Sequence, residues 1–224
     1  MIISFLSPKG GSGKSTSSLT LATVLSQNSD LSIALVDADP RQSIARVWTG
    51  KRTQEGLGDP PFTVISDASD NSILDTLEEA DEAHDVVIVD LEGVAGLMAS
   101  YAASASDLCV IPMRPSALDG DAAGSALKMI KDAGRAARRQ IPTRILITQT
   151  DAAIVTRSHK ELIAELDGAG VARLQTELMR RAPFERVMAE GRTLFELQRN
   201  ASVDRAIQNT QKLGTELVSI LEAQ

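Results

Sequence analysis

A doubly wound, three-layer α/β fold with a mostly parallel sheet is the architecture this sequence predicts, on three observations. Of the 224 residues, 43% are hydrophobic but only 3% are aromatic. The core must then be built from Ala, Val, Ile and Leu, as where helices cover both faces of a parallel sheet. Short Val/Ile/Leu-rich runs recur without polar alternation, the pattern of strands buried on both faces. Segments with helical spacing lie between them, so the chain reads as a repeated β-α series.

Seven runs are the expected strands: Ile2 to Leu6, Ser32 to Asp37, Phe62 to Ser66, Val86 to Leu91, Leu108 to Met113, Arg144 to Thr150 and, roughly, Val171 to Leu178. Leu19, Ala22, Val24 and Leu25 carry a helical period after the first run, and Leu127, Ile130 and Lys131 do so before the sixth. Gly50 to Pro61, with Gly56, Gly58, Pro60 and Pro61, has loop composition and reads as an excursion within one domain spanning 1–224. Val203, Ala206, Ile207, Thr210, Leu213, Leu217, Ile220 and Leu221 predict a last helix packed on the sheet.

The single cysteine, Cys109, lies in the apolar run Leu108 to Ile111 and reads as a small buried residue, which excludes a disulfide-knit fold. No stretch approaches the length of a membrane span, and Met1 to Leu6 is too short for a signal peptide, so a cytoplasmic location is expected. His84 and His159 have neither metal-ligand spacing nor a nucleophilic partner and read as surface residues. The net charge of −7 is uneven: residues 1–127 carry −11 and the last 97 residues carry +4, with arginine the dominant cation.

The chemistry is concentrated in Lys9-Gly10-Gly11-Ser12-Gly13-Lys14-Ser15-Thr16, directly after the first strand and before a helix. Glycines let successive backbone N–H groups turn toward a phosphate chain, and the helix N-terminus adds its dipole. Lys14 is placed to reach the β/γ-phosphates and Ser15 to ligate Mg²⁺. Pro8 stands where the usual motif has its first glycine, and Lys9 adds a second lysine. Asp37 and Asp39 emerge from the second strand, and Asp90 ends the run Asp85-Val86-Val87-Ile88-Val89-Asp90. Carboxylates there can support a metal ion or position a water for in-line attack.

The second lysine, the Asp-x-Asp-Pro of residues 37–40 and the short C-terminal part together resemble the deviant Walker-A P-loop ATPases, and within them the small ParA partition proteins. The resemblance covers nearly the whole chain. It implies that Lys9 reaches across an ATP-dependent homodimer to the partner's nucleotide and that Asp39 orients the hydrolytic water. Asp37 and Asp90 would assist Mg²⁺, and Thr148, in Thr148 to Asp151, matches the region that contacts adenine. Glu92, after the Asp90-Leu91 pair, departs from the family pattern. Residues 111–119, with Ile141-Pro142-Thr143, look most like the VirC-type branch, which helps process transferred DNA.

Two cationic sets stand out: Lys128, Lys131, Arg135, Arg138 and Arg139 on one expected helix, and Arg180, Arg181, Arg186, Arg192, Arg199 and Arg205 further on. The resemblance favours Arg180, Arg192 and Arg199 as contacts to nonspecific DNA. It implies an ATP-bound dimer on the nucleoid, released when a ParB-like or other cargo adaptor stimulates hydrolysis. A membrane-associated MinD-like ATPase and a VirC-like accessory factor in DNA transfer are the alternatives; for the first, the last helix lacks the required cationic face. An iron protein of this fold would need paired cysteines, and a ligase would not need Lys9.

Overall fold

The computed structural model describes residues 1–66, 68–91, 96–151 and 154–223. Its strands are β1 (Ile2–Phe5), β2 (Ile33–Ala38), β3 (Thr63–Ile65), β4 (Val86–Leu91), β5 (Leu108–Met113), β6 (Thr143–Thr150) and β7 (Leu178–Met179). They form one sheet in the order β3-β2-β4-β1-β5-β6-β7, with every described pair parallel. The helices are α1 (Lys14–Leu25), α2 (Thr49–Gln54), α3 (Ile73–Ala83), α4 (Leu97–Ala105), α5 (Ala117–Ala136), α6 (Arg157–Gly168), α7 (Ala182–Glu190) and α8 (Ala201–Glu222), and a π-helical segment, Ser43–Trp48, runs into α2.

The unalternating strands divide their side chains between two cores. Ile3, Phe5, Leu35 and Ile88 face α1, α7 and α8, whereas Ile2, Val36, Val87 and Val89 face α3, α4, α5 and α6. Period two is present, but both faces are apolar, so the sequence shows a continuous run. The apolar stripe of α8, including Val203, Ile207, Leu213 and Leu217, is buried as expected. Cys109 is also buried, and burial pushes its thiol up to about 12. Both edge strands are short: β3 has three residues, preceded by Pro60 and Pro61, and β7 has two.

Four expectations need correction. Gly50 to Gln54 is helical, not loop; tertiary contacts of Trp48 and Arg52 hold it, and the chain leaves the helix at Gly56 with φ 67°. The seventh strand shrinks to Leu178–Met179 plus an isolated bridge from Arg173 to Ile145, because Asn209 of α8 takes up the Met179 N–H and the Glu177 carbonyl. Arg138 and Arg139 lie beyond α5. Arg138 turns left-handed (φ 55°), and the N–H groups of Arg138 and Arg139 close on the carbonyls of Arg135 and Gly134. His159 is buried against Glu177 at 2.8 Å, and His84 is half-buried between Ala80 and Thr63.

Asn209 clamps β7 to α8 through two backbone groups, at 2.9 and 2.8 Å. Replacing it with Ala leaves both without that partner, so Asn209→Ala should lower unfolding free energy by about 1–3 kcal/mol in urea titrations.

Candidate nucleotide site

Strand register brings the site together. Asp37 of β2 pairs across to Asp90 of β4, and Asp90 pairs in turn with Phe5 of β1. The two carboxylates thus lie on neighbouring strands, about 5 Å apart in the pairing direction, at the C-terminal edge of the sheet. That edge is where open α/β sheets bind ligands. The chain leaves β1 there, passes through Lys9 to Gly13 and enters α1 at Lys14.

Gly13, with φ 97°, turns the loop into α1 and provides no side-chain cap, so the first-turn N–H groups of Lys14, Ser15 and Thr16 precede any intrahelical acceptor. Behind the loop, Thr148 donates to the Ser12 carbonyl at 2.7 Å and Gln149 to the Gly11 carbonyl at 2.7 Å. Gln149 reaches it from a left-handed backbone, φ 56°. A cleft of about 660 Å³ opens in front, lined among others by Gly10, Gly13, Lys14, Ser15, Thr16 and Asp39. Gly11 is on its wall as well.

Five expected residues of the nucleotide and metal site, Lys9, Ser12, Asp37, Asp90 and Thr148, do not line that cleft. Thr148, 1% exposed, donates its hydroxyl to the Ser12 carbonyl and supports the loop. Ser12 is likewise buried. Lys9 pairs through Nζ with Asp119, which also accepts from the Arg114 backbone N–H and guanidinium at 3.0 Å and from the Ser116 hydroxyl at 2.9 Å. Burial would raise the Asp119 carboxyl, but Arg114, Lys9 and Ser116 outweigh it and hold the group well below the usual carboxylate range. In the sequence, Asp119 stands out only as the last residue of the VirC-like stretch 111–119. Its signal was Ser116-x-x-Asp119 ahead of a helix, a helix-capping pattern, and Ser116 does cap α5. Glu92 lies outside the described residues.

The acids differ in what they do. Asp37, 1% exposed, accepts from the N–H groups of Ile44 (2.9 Å), Ala45 (2.8 Å) and Asp39 (3.3 Å). Its burial still raises its pKa against those donors. Asp90 is fully buried, and neither carboxylate oxygen has a hydrogen-bond partner of good geometry. Burial, with Asp37 beside it, pushes the Asp90 carboxyl up to about 7, although the Ser15 hydroxyl and Lys14 favour its charged form. Asp39 lines the cleft, and its carboxylate accepts from the Arg41 N–H at 2.8 Å.

Each of the three arginines expected to meet DNA has a carboxylate partner. Arg180 pairs with Glu185, Arg192 with Glu190 and Arg199 with Asp204. Arg181, Arg205 and Lys212 line a cleft of about 480 Å³ with Gln175, Gln208, Asn209 and one acid, Glu177, and the buried Arg181 Nε lacks a hydrogen-bond partner. The sequence signal was the α8 spacing Arg205, Gln208, Lys212, which places three polar residues on one helix face.

The raised Asp90 pKa has a worked sign. Between pH 4 and 7 the folded chain keeps a proton that the unfolded chain has lost, so this group's contribution to stability falls as pH rises through that window. Asp90→Asn should stabilise the nucleotide-free protein at pH 8 more than at pH 5. Urea unfolding of both proteins at the two pH values tests it, and an unchanged difference between them contradicts it.

The family model described as VirC1 protein matches residues 1–223. Protein ParA of Rhizobium radiobacter is 32% identical over 213 residues, covering 94% of this chain and 92% of its own. Maintenance of carboxysome distribution protein A of Halothiobacillus neapolitanus is 30% identical over 191 residues, 84% of each chain. In fold, an ATP complex of a Cyanothece McdA variant superimposes with a TM-score of 0.78 at 16% identity, over 97% of this chain and 96% of that one. The VirC likeness first visible in residues 111–119 and 141–143 thus extends along the chain. The protein belongs to the VirC1 family and is a ParA-type ATPase.

Proposed function

We propose that this protein is an ATP-switched positioning ATPase whose ATP-bound homodimer holds nonspecific DNA and lets go on hydrolysis. The observation that carries this reading is Lys9, a second lysine at the rim of the phosphate loop, held by Asp119 of its own chain. A lysine so placed is free to act across a dimer once a nucleotide gives it a stronger anionic partner than Asp119. In this reading the loop N–H groups of Gly10 to Lys14, with Lys14 itself, bind the phosphates. Asp39, in the cleft and 2.8 Å from the Arg41 N–H, orients the attacking water.

Mg²⁺ fits the donor set: Asp90 offers two buried oxygens without a hydrogen bond of good geometry, beside Asp37 and the Ser15 hydroxyl. Bound with ATP, it supplies Lewis-acid neutralisation of charge on the phosphates. Asp90 and Ser15 would hold it, while most of the Asp37 carboxylate is engaged with Ile44 and Ala45.

Phosphate contacts on DNA are attributed to the Arg181, Arg205 and Lys212 cleft, with Arg180, Arg192 and Arg199 nearby in sequence. Doubling such a patch in a dimer steepens the dependence on salt. A partner protein of ParB-like or other adaptor type would stimulate turnover and couple it to cargo. A role as an accessory factor in DNA transfer is the second reading, favoured by the VirC1 match over residues 1–223. Membrane attachment is disfavoured because α8 buries its apolar stripe and has no basic residue in its last turn.

Duplex DNA of arbitrary sequence, titrated with ATP, ADP and no nucleotide at two salt concentrations, tests the reading. Tight binding is expected with ATP alone, falling steeply with salt. Lys14→Gln should abolish the ATP effect. Arg205→Glu with Lys212→Glu should weaken DNA binding while ATP hydrolysis persists, and Arg192→Glu should weaken it less. Preference for one DNA sequence would favour the transfer role, and ATP binding without DNA binding would defeat both. In a separate assay, Asp39→Ala should slow ATP hydrolysis by about 100-fold with nucleotide affinity retained, measured by phosphate release and by nucleotide titration.

A further inference from the structure

The segment between the acids and α7 has an unusual build. Its first turn hangs on Asp37, whose Oδ2 accepts from the N–H groups of Ile44 at 2.9 Å and Ala45 at 2.8 Å. Gln42 enters it left-handed (φ 47°) and donates through its side chain to the Ser66 carbonyl at 2.9 Å. The backbone then takes the wide π-helical form from Ser43 to Trp48 and tightens into α2. π-Helical turns are rare and occur frequently at functional sites.

The far end is fixed by directional contacts. Trp48 is fully buried, and its indole N–H donates to the carbonyls of Val187, on α7, at 3.0 Å and of Arg192, just beyond it, at 3.3 Å. The Arg52 guanidinium lies 5.0 Å from the centre of the Trp48 ring and donates to the Gly191 carbonyl at 3.0 Å and to Glu196 at 2.8 Å. Burial would raise the Glu196 carboxyl, but Arg52 and the Thr193 N–H hold it at about 2. Gly191 closes the joint: a Cβ there would sit 2.5 Å from the Arg52 backbone nitrogen. Segment and helix end therefore touch backbone to backbone.

We propose that Ser43–Gln54 is a mechanical link carrying the nucleotide state from the Asp37–Asp39 edge to α7, with Trp48 and Arg52 as its positioning residues. The proposal rests on the ATP-gated DNA binding proposed above. Asp39, Arg41 and Ser43 line the nucleotide cleft, so one end of the link is exposed to what occupies it. Arg180 and Arg181 immediately precede α7 and Arg192 follows it, so a shift of this helix moves cations at both its ends. A change of register between Ser43 and Trp48 turns the indole relative to Asp37. The indole cannot turn without breaking or dragging its bonds to Val187 and Arg192.

Trp48 is the single tryptophan of the chain, so its emission reports on the joint directly. In the full-length protein, ATP with Mg²⁺ should change that emission and ADP should not. Trp48→Phe keeps an aromatic ring but loses the N–H donor, and Glu196→Gln removes the charged partner of Arg52 without loss of shape, leaving its bonds to the Gly58 and Gly191 carbonyls. Both should bind and hydrolyse ATP within about twofold of wild type, yet the gain in DNA affinity that ATP confers should fall by about tenfold. Either variant, folded by circular dichroism and retaining the full gain, overturns the link; should Trp48→Phe not fold, Glu196→Gln decides. If ATP gives the wild type no gain in DNA affinity, the DNA reading is what fails. The link is then supported if the Trp48 emission responds to ATP and overturned if it does not.

Discussion

Parallel pairing of β2 with β4 sets Asp37 beside Asp90 under an anion-binding loop, and the site is organised around that juxtaposition. Two buried carboxylates on adjacent strands repel, and each meets the problem differently. Asp37 is satisfied by backbone N–H groups of the turn that follows it. Asp90 has no such relief, and burial pushes its carboxyl up to about 7. Burial and the neighbouring Asp37 disfavour the charged form of Asp90, and the Ser15 hydroxyl and Lys14 offset that only in part. Local instability of this kind is common where a ligand completes a structure.

The phosphate loop itself is not left to its glycines. Thr148 and Gln149 hold two of its carbonyls from β6, so the order β1-β5-β6 matters to a motif that begins at the end of β1. Lys9 is restrained in a different way, by a carboxylate that already serves Arg114 and Ser116. That pairing keeps the Lys9 ammonium ordered at the rim of the loop.

The fold was legible because its signals are local. Val/Ile runs separated by helical spacing, and a glycine loop between the first strand and helix, survive any detail of packing. What escaped reading was decided by contacts between residues distant in sequence. Gly50 lies in a helix because Trp48 and Arg52 grip residues 187–196, and nothing in its own neighbourhood indicates that. Asp119 is 110 residues from Lys9, so only its capping role could be seen locally. The arginines show the same limit. Charge counting finds cations, but only the fold reveals that Arg181, Arg205 and Lys212 share a cleft while Arg180, Arg192 and Arg199 each sit with a carboxylate.

The two edges of the sheet bear on how copies of the chain can meet. Strand β3 offers three residues behind a Pro-Pro pair, and β7 offers two already tied to α8 by Asn209. Neither presents the long row of open amide groups that invites strand-to-strand growth. Crowding many copies onto one surface therefore carries little risk of runaway β-stacking. In the proposed function, two chains join instead through the loop face, under the control of the nucleotide.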